Sequence, residues 1–185
     1  MTRKNGPWTI TGSELKYHHE LIEVHEDQVI RPDGTPGTYA TARIKEGISV
    51  LALDEEGFVH LSKEFRYALG RESIEVVSGA IEEGEDHADA ARRELREELG
   101  IEARDLTPLG QVDPLPSMVN SPSNLFLARG LKFREPQQEG GETISRLKVS
   151  FDEAVHMVLA GDITHGSSCV TILRADSFLK KQAAS

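Results

Sequence analysis

The sequence predicts an α/β protein, a mixed sheet with helices behind an N-terminal antiparallel β arm. Three observations carry that expectation. Ile48-Ser-Val-Leu-Ala-Leu53 is a continuous apolar run, and Asp54-Glu-Glu-Gly57 turns it back into Phe58-Val-His-Leu61, a hairpin pattern. Between Asp86 and Leu99, the residues Ala88, Ala91, Leu95 and Leu99 recur at helical spacing. Asp86 is placed to cap that helix, and Gly100 to end it. Ser150-Phe-Asp-Glu153 is a capping box that opens a second helix through Ala154, Val155, Val158 and Leu159, closed by Gly161.

Taken in order, Met1 to Pro7 reads as a tail without structure of its own. From Trp8 to Ile44 the pattern is extended, with Ile22 and Val24 alternating with polar residues. Arg31-Pro-Asp-Gly34-Thr-Pro-Gly37 is a turn, and Thr38 to Ile44 returns as another strand. Trp8, Tyr17 and Tyr39 are candidates for stacking on a nucleobase, with packing as the alternative role. After the central helix, Leu106 to Val112 reads as a short strand and Asp113 to Ser123, with three prolines, as a loop. Leu125 to Ala128 and Leu147 to Val149 are further strands, and Gly166 to Lys181 is a last amphipathic helix. His165, just before it, stands alone and is able to approach a substrate or serve structure. The division expected is an arm over residues 1–45 and one catalytic domain over 46–185.

Composition narrows the function. The chain has 185 residues and a formal charge of −10, which argues against nucleic-acid binding. Eight acids and three bases lie between Gly79 and Ile101, so half of the excess sits in one stretch. No apolar run reaches the length of a membrane span, and nothing resembles a signal peptide. Cys169 is the single cysteine, which fits a reducing cytoplasm and a small buried residue better than a nucleophile.

Within the acidic stretch, Glu94, Glu97 and Glu98 stand at i, i+3 and i+4 and project from one helical face. Like charges at that spacing repel. A cluster of hard oxygen ligands is what Mg²⁺ or Mn²⁺ requires, and Mg²⁺ commonly meets substrate phosphates. The register is specific: Gly79, five residues, Glu85, seven residues, then Arg93-Glu-Leu-Arg-Glu-Glu-Leu-Gly-Ile101. This pattern matches every fixed position of the Nudix box, and the chain resembles a Nudix hydrolase, with weaker similarity from about Tyr17 onward. The arm resembles the N-terminal β region of the ADP-ribose pyrophosphatase branch.

The resemblance implies an α/β/α sandwich with a mixed sheet, a homodimer formed through the N-terminal β arm, and a nucleotide-sugar substrate. It assigns the Ser78 carbonyl, Glu94, Glu97 and Glu98 to Mg²⁺, with Mn²⁺ as the alternative ion. Arg66 and Glu75 fall on the family's arginine and glutamate before the box, and Arg66 would contact phosphate or nucleobase. Arg93 would anchor the box by pairing with Glu85 or Glu97. A catalytic or metal-binding glutamate in a glycine-bearing loop corresponds to Glu142, with Glu139 second; whether the base is Glu142, Glu97 or Glu98 stays open. The implied reaction is hydrolysis of a nucleoside diphosphate sugar, ADP-ribose first. GDP-mannose, other nucleotide sugars or dinucleotides are the alternatives within the family, and a binding-only sensor domain is the alternative outside catalysis. Ser123-Asn124 stands where many ADP-ribose enzymes carry an acidic residue, and Pro116 lies near the position of a proline that marks that branch.

Overall fold

A computed structural model describes residues 2–138 and 143–184. In chain order the elements begin with β1 (Arg3–Asn5), β2 (Trp8–His19), β3 (Ile22–Ile30), β4 (Pro36–Ile44), β5 (Gly47–Leu53) and β6 (Phe58–Arg66). A short 3₁₀ turn over Tyr67–Leu69 precedes β7 (Arg71–Glu75), β8 (Val77–Ala80) and α1 (His87–Leu99). Then follow β9 (Ile101–Val112), β10 (Val119–Asn120), β11 (Ser123–Phe133), β12 (Ser145–Ser150), α2 (Phe151–Ala160) and α3 (Gly166–Ala183). The chain divides into two compact units, Met1–Glu46 with Asp113–Pro122, and Gly47–Val112 with Ser123–Ser185.

The first unit is a five-stranded sheet in the order β1-β2-β3-β4-β10. Its three long strands form an antiparallel meander, and β10 joins β4 in parallel, with Val119 opposite Ala42. The stretch before Pro7 is not a bare tail: Arg3 to Asn5 pair with Ile10 to Trp8 as an edge strand. The Arg31–Gly37 turn is tied by Asp33, whose carboxylate accepts from the Thr35 backbone N–H at 2.9 Å.

The second unit carries a seven-stranded mixed sheet. Its centre is β5, parallel to β11 on one edge and antiparallel on the other to β8 at its start and β6 at its end. Both faces of β5 are covered, which is why its sequence is a continuous apolar run rather than an alternation. Ile48, Val50 and Ala52 pack against Ala90, Ala91, Leu95 and Leu99 of α1. Leu51 and Leu53 point the other way, to Ala154 and Met157 of α2 and Ile172 and Ala175 of α3. The unit is therefore the α/β/α sandwich that the resemblance implied. Leu95 is fully buried in it, and its truncation to alanine costs about 2–5 kcal/mol.

Helix α1 begins and ends as its local sequence dictates. Asp86 accepts from the Ala88 N–H at 2.8 Å, and Gly100 closes the helix with a left-handed φ of 63°. Its buried face differs by one position from expectation: Ala90 is buried and Ala88 only partly so. In α2 the buried residues are Ala154 and Met157, while Leu159 is 73% exposed. Strands β9 and β11 run much longer than their apolar cores, because each pairs with the other over ten positions. Among the described residues no helix is long and apolar enough to cross a membrane.

Candidate active site

The site is built where β8 runs into α1. The glycine at 79 lets the helix lie close. A Cβ built on Gly79 would stand 2.0 Å from the Glu94 Cδ and Oε1 atoms, so the Glu94 carboxylate occupies the space that a side chain would fill. One residue earlier, the Ser78 N–H donates to Glu98 Oε1 at 3.3 Å. Glu98 is 5% exposed, on the same buried side of α1 as Leu95 and Leu99. Ser78, Glu94 and Glu98 thus converge at one end of the sheet.

Arg93 binds the remaining carboxylates together. Its Nε and Nη2 donate to the two oxygens of Glu85 at 2.9 and 3.0 Å. Nη1 donates to Glu94 Oε1 at 2.7 Å and to Glu97 Oε2 at 3.1 Å, and Nη2 also reaches the Ala80 carbonyl at 2.9 Å. Five guanidinium hydrogens meet five acceptors, which leaves Arg93 no donor for a substrate. Its work is to hold the ligands. Both expected partners, Glu85 and Glu97, are real, and Glu94 joins them. The Arg93 hydrogen bonds keep the Glu85 carboxyl below its ordinary value, and Glu85 in turn raises the guanidinium well above its own.

The donor set fits a hard divalent cation, being carboxylates and a backbone carbonyl, with the Glu94 carboxylate seated over Gly79. Among the described residues, no three His, Cys, Asp or Glu side chains stand in a ready coordinating group. Arg93 is a counter-charge within the cluster, and Glu94 and Glu97, both bonded to its Nη1, are carboxylates that would be within reach of a bound ion.

A second cluster lies on β6 and β7. Arg66 forks onto Glu75, Nε to Oε1 at 3.1 Å and Nη2 to Oε2 at 2.8 Å, and its Nη1 is 2.7 Å from Glu64. Burial alone would raise the Glu75 carboxyl; the Arg66 hydrogen bonds, with help from His165 and Ser73, outweigh it and hold the group below its ordinary value. Arg66 is itself raised by Glu75. Two buried features were not visible in the sequence. A hydroxyl row links Ser78, Ser49 and Ser123 at 3.2 and 3.1 Å across three strands. The Gln138 amide donates to the Glu98 carbonyl at 3.1 Å and the Ile144 carbonyl at 2.8 Å, tying the chain between β11 and β12 to the last turn of α1. The only signal for Gln138 was its place beside Gln137 ahead of the glycine pair. Glu142 and Glu139 lie outside the described residues.

Tyr39 belongs to the other unit. There it packs edge-on against Trp8, ring centres 5.3 Å apart, and its hydroxyl donates to the Ser117 carbonyl. Both rings line a cavity of about 560 Å³, with His25, Asp27, Arg43 and Met118 among its walls. Cys169 is half-buried and donates to the Ile163 carbonyl at 3.2 Å; burial pushes its thiol up, against a nucleophilic role.

Comparison with known proteins gives this geometry a family. Residues 43–166 match the family described as NUDIX domain, and residues 8–41 match the one described as Nucleoside diphosphate sugar hydrolase N-terminal domain. The chain is similar to an ADP-ribose pyrophosphatase of Bacillus subtilis (strain 168), 26% identical over 161 residues, 86% of this chain and 87% of that one. It is also 26% identical over 166 residues to an ADP-ribose pyrophosphatase of Mycobacterium tuberculosis, covering 87% of this chain and 79% of the relative. A crystal structure of an ADP compounds hydrolase superposes with a TM-score of 0.85 at 22% identity, over 99% of this chain and 100% of the other, a likeness of fold. With its family match spanning two-thirds of the sequence and a complete box at the β8–α1 junction, the chain belongs to the Nudix hydrolase family, whose members use divalent cations.

Proposed function

We propose that this Nudix hydrolase cleaves the diphosphate bond of nucleoside diphosphate sugars, ADP-ribose in preference, giving a nucleoside monophosphate and a sugar phosphate. The observation that carries the reading is the pairing of Glu94 and Glu97 with a saturated Arg93, next to Gly79 and to Ser78, whose N–H holds Glu98. The matches to ADP-ribose pyrophosphatases and to the nucleoside diphosphate sugar hydrolase N-terminal family support the substrate class.

Ser78, Glu94, Glu97 and Glu98 would hold Mg²⁺. When bound, the ion supplies charge neutralisation at the diphosphate. This chain's residues do the rest: Arg93 fixes the orientation of Glu94 and Glu97, and Arg66 meets phosphate or base from its partly exposed side. Glu98, Glu97 or Glu142 takes the proton of the attacking water. Tyr39 and its cavity in the N-terminal unit offer an aromatic wall of a size suited to a nucleobase. The arm exposes about half of Leu15, Tyr17 and Leu21 (50%, 55% and 52%), which supports a homodimer made through it. Light scattering tests the dimer, and a concentration-independent monomer mass rules it out. The single cysteine supports a cytoplasmic home.

The deciding experiment is a panel of nucleotide sugars with Mg²⁺, resolved by product chromatography and repeated in excess chelator. ADP-ribose turnover that vanishes with chelator is expected; full turnover in chelator refutes the site. GDP-mannose belongs in the panel because Ser123 is buried in the hydroxyl row where an acidic residue would otherwise stand.

A further inference from the structure

Helix α3 arrives beside the two substrate-binding candidates. Glu75 is 4% exposed, and a carboxylate so buried needs partners on more than one side. Arg66 supplies one side with its fork. On the other stands His165, at the N-cap of α3, its Nδ1 3.3 Å from Glu75 Oε2 and 2.8 Å from Ser168 Oγ. Ser168 is fully buried, and its Oγ accepts from the Val76 N–H at 3.0 Å. A lone pair on Nδ1 would face the carboxylate unfavourably, whereas a proton there is attracted to both neighbours, so the Nδ1–H form fits the surroundings. The peptide dipoles at the start of α3 add to the positive field at Glu75. The same contacts pin α3 to Val76, the residue between β7 and β8.

We propose that His165 is a positioning residue for Arg66: it holds the Glu75 carboxylate in the orientation that locks the guanidinium and leaves its exposed third facing the substrate. The inference rests on the reading that Arg66 contacts the nucleotide sugar. His165 touches no reacting atom; it acts through Glu75. Its removal therefore loosens substrate binding more than the chemical step on α1.

Steady-state kinetics with ADP-ribose and Mg²⁺, beside thermal melts by circular dichroism, test it with His165→Asn, His165→Leu, Arg66→Ala and the Arg66→Ala/His165→Leu pair. Asparagine sets an amide N–H near the place of Nδ1–H and should keep KM within about twofold of the parent. Leucine fills similar space without a donor and should raise KM about tenfold while kcat stays within about threefold. In the Arg66→Ala background the leucine should add little to KM, because the group it positions is gone. A His165→Leu protein that melts lower with unchanged KM, while Arg66→Ala raises KM, reduces His165 to packing and overturns the proposal with the Arg66 reading intact. Unchanged KM in Arg66→Ala overturns both. Asparagine as harmful as leucine removes the hydrogen-bond basis. Should His165→Leu not fold, His165→Gln places its amide one bond too far and should also raise KM; a parental KM there overturns the proposal.

Discussion

Gly79→Ala separates the site from the fold. Gly79 lies outside the left-handed region, so alanine meets no backbone strain there. Its methyl group, however, would stand 2.0 Å from Glu94 Cδ and Oε1 and 2.5 Å from Oε2. Ordinary contact needs about 3.5 Å, so the carboxylate must retreat by roughly 1.5 Å. That carboxylate is the far end of a flexible side chain and swings away cheaply. The fold should lose less than about 1 kcal/mol, partly offset by the reduced freedom of the unfolded chain. Chemistry is less forgiving, since a displacement near 1 Å costs about 100-fold in a catalytic array. The expected result is a fall in kcat of roughly 10²–10³ with a higher Mg²⁺ requirement and a melting temperature within about 4 °C of the parent. Release of nucleoside monophosphate against Mg²⁺ concentration, with a melt on the same sample, reads both. Parental turnover and parental Mg²⁺ dependence would show that Glu94 need not stand over Gly79. A collapse in melting temperature alongside lost activity would blame the turn instead of the carboxylate.

Glu98→Gln should abolish nearly all turnover, on the order of 10²–10⁴-fold, yet fold normally, because the amide oxygen still accepts from the Ser78 N–H; a folded variant with parental turnover removes Glu98 from the chemistry. Asp54 is buried among His60 at 3.1 Å and Lys148 at 2.9 Å. Burial alone would raise its pKa; the Lys148, Phe58 N–H and His60 hydrogen bonds outweigh it and bring the group down from 3.8 to about 2. That carboxylate should stabilise the fold by about 2 kcal/mol at neutral pH, fully above 3.8 and lost as pH falls through 2. Urea melts of the parent and Asp54→Asn should therefore converge between pH 4 and 2, and a constant gap would refute the assignment. Burial lowers His60 below 6.5, so its neutral form favours the fold above that pH and the contribution shrinks as pH drops below it; a His60→Gln variant should lose that part of the acid sensitivity in the same melts.

What the sequence disclosed is what is local. Asp86, the helical repeat and Gly100 define α1 without reference to any other strand, and the box register names the carboxylates. Which side of α1 is buried was legible to within one residue, because Ala88 and Ala90 are equally small and only the sheet decides between them. Pairing across long distances was not legible. Arg3 to Asn5 have no apolar pattern and are ordered by pairing with β2. Three prolines disguised β10, which exists because β4 offers it an edge. Arg66 and Glu75 were each named but not as a fork, since nothing in either residue announces the other. Ser168 and Val76, 92 positions apart, had no signal at all.

The stretch from Val76 to Ser78 explains why these pieces act together. Val76 gives its N–H to Ser168 of α3, and its carbonyl accepts the Ser78 hydroxyl at 3.0 Å. Ser78 gives its N–H to Glu98 of α1, and its hydroxyl lies beside Ser49 of the central strand. Three residues thus set α3, α1 and β5 against one another through polar contacts, in addition to the apolar packing of Leu95 and Ile172 on opposite faces. The three box carboxylates are in consequence held differently. Glu98 is referenced to the backbone of β8, whereas Glu94 and Glu97 are referenced to Arg93. A cation drawn to the cluster would meet Glu94 and Glu97 as oriented by the Arg93 guanidinium and Glu98 as oriented by the Ser78 N–H. Glu98 is thus tied to the strand that also presents the Ser78 carbonyl, through the 3.3 Å bond from the Ser78 N–H.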